Sequence, residues 1–195
     1  QWKNKNQFWI KWLHSKYYNH FLTKTNMQLP DAEELFQILA KKIRSAGIQN
    51  IALVGIHTGG VWLAQRLHQE LNIQRPLGML DVSFYRDDFD KRGLHAQVKP
   101  SEIPFDVEKS NILLIDDVLY TGRTIRAAIN ELFDYGRPGC ISLAALIDRG
   151  GRQLPITPQY VGAELKIPDN QMLELQRNEK DKLSLKIYDK TSNHE

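Results

Sequence analysis

Apolar residues fall into two alternating patterns along this chain. Nearly continuous apolar runs at residues 51–56, 112–115 and 141–147, the last interrupted by Ser142, each open and close with isoleucine and are too short to stand as helices. Each predicts a strand buried on both faces of a parallel sheet. Residues 77–85 predict a further strand. Between the runs, apolar residues recur at three- and four-residue intervals, the stripe of an amphipathic helix. Leu35, Ile38, Leu39 and Ile43 form one stripe, Leu63, Leu67 and Leu71 a second, and Ile125, Ala128, Ile129 and Leu132 a third. Asp31 and Glu34 have capping-box spacing at the start of the first helix, and Gly47 ends it. The second helix is expected from Val61 to about Asn72, and Gly136 with Pro138-Gly139 stops the third. Strands alternating with helices predict an α/β fold, an open twisted parallel sheet flanked by helices, with right-handed crossovers. Residues 86–104 are charged and turn-rich, the signature of a flexible flap. Small strands at 160–163, 172–175 and 183–188 are expected to form a hood subregion above the sheet, and no linker marks a second domain.

The polar residues that interrupt this pattern gather where chemistry is expected. Three turns, residues 57–60, 116–124 and 148–152, sit at the carboxyl ends of predicted parallel strands, the edge at which open α/β sheets bind ligands. Asp116 and Asp117 directly follow one strand, and Thr121, Gly122 and Thr124 lead into the third helix. Hydroxyls, a permissive glycine and free N–H groups at a helix start suit a phosphate. The two carboxylates can accept hydrogen bonds from the hydroxyls of an attached sugar. A sugar phosphate therefore fits. A nucleoside triphosphate fits poorly, because neither G-x-x-x-x-G-K-[ST] nor a G-x-G-x-x-G after a strand is present. Thr58, Gly59 and Gly60 can offer backbone N–H groups to an anion with no side chain in the way. Arg86 and the loop behind it can close over a polyphosphate, and Arg149 and its neighbours form the remaining wall. The plain alternative is a strand-turn-helix whose acids only cap the helix and complement its dipole. His57, His68 and His95 lack metal-ligand spacing, so no metal site built from protein side chains is expected. Cys140 is expected in the core, and Trp62 lies off its helix stripe, suiting either a subunit contact or a packed surface aromatic.

The run N-I-L-L-I-D-D-V-L-Y-T-G-R-T resembles the phosphoribosyl pyrophosphate (PRPP) motif of type I phosphoribosyltransferases. Together with V-G-I-H-T-G-G-V-W-L-A-Q-R-L, D-V-S-F-Y-R-D-D and D-R-G-G-R-Q-L-P, the chain from residue 27 onward resembles the bifunctional pyrimidine operon attenuator and uracil phosphoribosyltransferase family. The resemblance implies a type I phosphoribosyltransferase fold over residues 27–195, and Mg²⁺-dependent conversion of uracil and PRPP to UMP and pyrophosphate in pyrimidine salvage. It implies catalytic roles for Asp116 and Asp117. PRPP would be bound by Thr58, Gly59, Gly60 and Arg86 and by Val118, Leu119, Tyr120, Thr121, Gly122, Arg123 and Thr124. Arg149, Met172 and Leu173 would hold the base. Mg²⁺ would be held mainly through the substrate. The same resemblance implies a homo-oligomer and an RNA-binding regulator of pyrimidine genes, and it leaves a phosphoribosyltransferase for another base as an alternative. One departure is visible: Gly59 stands where the family commonly shows arginine, which could weaken substrate binding unless another cation such as Arg86 or Lys91 substitutes or the loop backbone suffices, since glycine improves anion access.

Charge changes the picture for RNA. The chain carries 26 Lys and Arg against 23 Asp and Glu, a formal charge of +3. Residues 1–26 hold five lysines and no acid, and subtracting five from three leaves −2 for residues 27–195. The body lacks the broad basic footprint of a nucleic-acid binder, although Lys41, Lys42, Arg44 and Arg152 could form a local patch. Gly151, Thr157 and Ala163 stand where the family's polar or basic contacts are expected. Specific leader-RNA binding is therefore expected to be weak or absent. Residues 1–26 interleave lysines with aromatics such as Trp2, Trp9 and Tyr17, a composition that could stack on bases or lie at a membrane interface. They match nothing in the family pattern and read as an extension outside the core, with Met27 a natural beginning. One cysteine and no apolar stretch of membrane-spanning length fit a cytoplasmic protein.

Overall fold

The structure, a computed structural model, describes residues 28–82 and 100–190. The expected flap with Arg86, Lys91 and His95, and the N-terminal extension, lie outside the described residues. The elements run α1 (Ala32–Ser45), β1 (Ile51–Ile56), α2 (Gly59–Glu70), β2 (Gly78–Leu80), β3 (Asn111–Leu119), α3 (Arg123–Tyr135), β4 (Cys140–Asp148), β5 (Tyr160–Glu164), β6 (Gln171–Arg177) and β7 (Leu183–Asp189). Five strands pair in parallel in the order β2-β1-β3-β4-β5. The chain leaves β1 for β2 on one side and returns to place β3 on the other, so the order reverses between β1 and β3. A crevice opens at that point, where helices that follow neighbouring strands part to opposite faces.

The burial of both faces explains the nearly continuous apolar runs. On one face Leu53, Leu113, Ile115 and Leu146 pack under α1 and α2, against Leu39, Leu63 and Leu67. On the other, Val54, Ile112, Leu114 and Ala145 pack under α3, against Ile125, Ala128 and Leu132. Each fully buried Leu or Ile contributes roughly 1.5–3 kcal/mol by leaving water. Asp31 caps α1 by accepting the Glu33 N–H at 2.7 Å, and Gly47 takes a left-handed φ of 60° just past its end.

Four expectations are corrected. β2 stops at Leu80, where the Asp81 N–H donates to Ser101 Oγ at 2.9 Å, and residues 83–85 of the expected strand lie outside the described residues. α2 begins at Gly59, two residues early, so the glycines form its first turn. The strand at 160–164 is not part of the hood; it pairs with β4 as the sheet edge. Cys140 is exposed, because it opens β4 beyond the cover of either helix layer. The hood is the antiparallel hairpin β6–β7. It is tied to the body by Glu33, whose carboxylate accepts two bonds from Arg66 (2.6 and 3.0 Å) and the Leu183 N–H at 2.7 Å. Arg177 of the hood lies over the Trp62 ring at 4.8 Å, so Trp62 packs in part within this chain. No helix among the described residues is long and apolar enough to cross a membrane.

Candidate functional site

β3 outruns its neighbour. The ladder with β1 ends at Ile115, while pairing with β4 continues through Asp116 and resumes from Val118 to Leu119. The sequence suggested that both acids follow the strand. Instead they lie within its protruding end, almost fully buried. Successive strand residues face opposite ways, and the acids divide accordingly. Asp117 packs against the first turn of α2: a Cβ added at Gly59 would lie 2.6 Å from its Cγ. Asp116 lines a cleft on the other side, beside the turn that opens α3, and its Oδ1 accepts the Asp117 N–H at 3.0 Å.

That cleft is walled by Val118, Leu119, Tyr120, Thr121, Gly122 and Thr124, by Arg149 at the end of β4, and by Met172 and Leu173 of the hood. Gly122 has φ 92°, a left-handed conformation that suits glycine and turns the chain into α3. Thr121 is buried, and its Oγ1 accepts the Arg123 N–H at 3.3 Å. Arg123 itself points out of the cleft and donates from Nε to Gln153 Oε1 at 3.0 Å. Thr58, Gly59 and Gly60 are not part of this wall. They adjoin it through Asp117 and the β3 backbone, where a Cβ at Gly60 would meet the Ile115 carbonyl. The first turns of α2 and α3 thus flank the acidic pair, each presenting the positive end of a helix dipole.

Arg149 is 7% exposed. Its terminal nitrogens donate to the carbonyls of Gln171 (3.2 Å), Pro168 (3.3 Å) and Ile167 (3.5 Å), holding the hood over the cleft. Its Nε–H has no partner among the described residues. A buried guanidinium N–H left unpaired is costly, and an acceptor on a ligand would satisfy it. The guanidinium lies 4.1 Å from the centroid of the Tyr120 ring, and Tyr120 OH donates to Asp169 Oδ1 at 3.3 Å.

Sequence reasoning missed the stack of Tyr120 on Arg149 and the whole of Arg152. Arg152 reads from sequence as surface charge, because Asp148 ends a strand and Arg152 lies in the loop beyond it, where no helical spacing signals their ion pair. The oxygen donors of Asp116 and Asp117 suit a hard cation such as Mg²⁺. No group of three or more acids, histidines or cysteines that could enclose a metal occurs among the described residues, so such an ion would draw its other ligands from substrate and water.

Residues 28–173 match the phosphoribosyl transferase domain family. The chain is 49% identical over 167 residues to the bifunctional protein PyrR of Pseudomonas syringae pv. tomato, covering 84% of this chain and 97% of that protein. It is 52% identical over 153 residues to the bifunctional protein PyrR of Pseudomonas putida, covering 76% and 89%. Among solved structures, a hypoxanthine-guanine phosphoribosyltransferase from Bacillus anthracis superposes with a TM-score of 0.56 at 17% identity, over 71% of this chain and 83% of that one. A hypoxanthine phosphoribosyltransferase from Staphylococcus aureus gives 0.56 at 21%, over 76% and 81%. These two share the fold.

Proposed function

Since the chain belongs to the type I phosphoribosyltransferase family, among the bifunctional PyrR proteins, we propose that it joins uracil to the ribose of PRPP, giving UMP and pyrophosphate. The observation that carries the choice of base is the buried, unpartnered Nε–H of Arg149 in the cleft wall. It calls for an acceptor on the base. Uracil meets it with either of two carbonyl oxygens, whereas cytosine keeps one carbonyl and carries a donor amine in place of the other.

In this reading the 5′-phosphate sits on the backbone N–H groups and hydroxyls of residues 118–124 at the start of α3, and pyrophosphate on the first turn of α2 with Arg86. Departure of pyrophosphate builds positive charge on the ribose ring and negative charge on the leaving group. Asp116 and Asp117 hold the ribose hydroxyls and stabilise the cationic sugar. Burial strengthens both effects, because the acids act with little water to screen them. Mg²⁺ bound by PRPP and steadied by these acids would supply charge neutralisation at pyrophosphate. Met172 and Leu173 give the base an apolar face to lie on.

A base panel assayed with PRPP and Mg²⁺ tests the reading. Pyrophosphate release with uracil is expected. Turnover with hypoxanthine or orotate and none with uracil would overturn the base assignment while leaving the transferase reading intact.

A further inference from the structure

We propose that Arg152 is a positioning residue that holds the phosphate turn in its binding shape. The inference rests on reading residues 118–124 as the 5′-phosphate site. Arg152 follows the cleft wall but does not line the cleft. Its guanidinium is spread over five acceptors. Nη2 pairs with Asp148 Oδ2 at 2.5 Å, and Nη1 donates to the carbonyls of Tyr120 (2.6 Å), Gly150 (3.3 Å) and Leu119 (3.5 Å). Nε donates to the Ile156 carbonyl at 2.9 Å. One side chain therefore joins the end of β4, the loop behind it, and the last residue of β3 with the one that follows.

The bonds to Leu119 and Tyr120 matter most. Each carbonyl is fixed in one peptide plane with the following N–H and points opposite to it, so holding the Leu119 and Tyr120 carbonyls orients the Tyr120 and Thr121 N–H groups; the Leu119 carbonyl also accepts the Arg149 N–H at 3.0 Å. Two further bonds brace the turn from behind, since the Thr121 carbonyl accepts the N–H groups of Gln153 (3.0 Å) and Leu154 (3.2 Å). Leu154 and Ile156 also back Gly122, where an added Cβ would lie 3.3 Å from Ile156 Cδ1. Arginine alone can do this, because its planar fork presents several donors in fixed directions. Lysine concentrates its charge at one point and cannot span acceptors on three segments. These bonds turn the guanidinium into the fold, with the side chain 22% exposed.

The test compares wild type, R152Q, R152K and D148N in the full chain. Calorimetric titrations would use ribose 5-phosphate, and separately pyrophosphate with Mg²⁺, alongside PRPP kinetics. R152Q should weaken ribose 5-phosphate binding and raise KM for PRPP by about tenfold or more, the scale typical of lost supporting contacts. Pyrophosphate affinity should stay at the wild-type value, since its site lies across β3. R152K should fail to restore ribose 5-phosphate binding, and D148N should lose less, because Arg152 keeps its carbonyl partners. Wild-type ribose 5-phosphate affinity in R152Q would overturn the proposal. Equal weakening of both ligands would reduce Arg152 to general structural support and overturn it as well. A wild-type protein that binds pyrophosphate but not ribose 5-phosphate would instead overturn the assignment of the turn itself.

Discussion

Replacing Gly59 and Gly60 singly with alanine separates the chemistry of the acidic strand end from its stability. At Gly59 the new Cβ would lie 2.6 Å from Asp117 Cγ and 2.8 Å from its Cβ. Carbon atoms rest at about 3.5–4.0 Å, so relief requires a displacement of roughly 1 Å. The side chain of Asp117 gives way more readily than the backbone. A carboxylate moved roughly 1 Å from the ribose should cost on the order of 10²-fold in kcat/KM, with only a modest fall in Tm. At Gly60 the obstacles are backbone atoms: the Ile115 carbonyl, Asp116 Cα at 3.1 Å and Ile115 C at 3.2 Å. Ile115 is locked between Gly55 and Ala144 in the sheet centre, so it cannot step aside. Overpacking there costs about 1–3 kcal/mol, a Tm drop of roughly 2–12 °C for a domain of this size. Steady-state kinetics with PRPP and uracil, with a thermal melt of each variant, read both effects. Full activity in G59A would refute the reasoning. It would mean that Asp117 has room to turn away at no cost, the setting that an arginine at position 59 requires.

Exchanging Asp116 and Asp117 together for asparagine should cut turnover far more than it lowers Tm, because an amide oxygen at position 116 can still accept the N–H of residue 117; equal losses in both would argue for a structural role. Glu33 gives a pH-dependent prediction. Hydrogen bonding from Arg66 lowers its pKa, aided by the Leu183 N–H and opposed by burial. A lowered native pKa contributes stability at neutral pH, which is lost as the pH falls below the ordinary glutamate value and through the native one. E33Q should therefore cost about 1 kcal/mol near pH 7, after discounting for partial exposure, and little at about pH 3; an equal Tm difference at both values counts against it. For RNA, a chain starting at Met27 should keep its activity and bind its own pyrimidine-gene leader no better than a scrambled control. Arg44 pairs with Glu70 at 2.8 Å, Lys42 donates to the Val161 carbonyl at 2.7 Å, and Arg152 donates to backbone carbonyls and pairs with Asp148, so three of the four candidate patch residues are engaged within the fold. Tight, UMP-enhanced preference for the leader near physiological salt would overturn this.

The sheet was legible because both of its faces are buried, and two-sided burial writes short, nearly continuous apolar runs such as residues 112–115. The helices were legible from stripes such as Leu35–Leu39 and Ile125–Leu132. The ends of elements were not. Asp116 and Asp117 read as loop residues because polarity ordinarily marks a strand's end, yet pairing with β4 carries the strand through them. Gly59 and Gly60 read as a turn because glycine is a poor helix former; here close approach to β3 leaves no space for a side chain. The members of the cleft, Asp116, residues 118–122, Thr124, Arg149, Met172 and Leu173, were found from their places at strand ends and from the motif they resemble. Arg152 was not, because counting charge along a sequence cannot tell a solvated guanidinium from one engaged by carbonyls.

The Tyr120 ring has a consequence beyond packing. It belongs to the phosphate turn, yet it lies on Arg149, reaches the hood at Asp169, and occupies the space that a Cβ at Gly151 would need. In the proposed reading the phosphate and base subsites share this wall, and their occupancy is expected to be coupled through it. Whatever ordering of Tyr120 an occupant of the phosphate turn brings about, the occupant of the base wall no longer has to bring about itself, and the relation holds equally in the other direction. The affinity of each ligand is then a function of the other's concentration, with one coupling constant serving both.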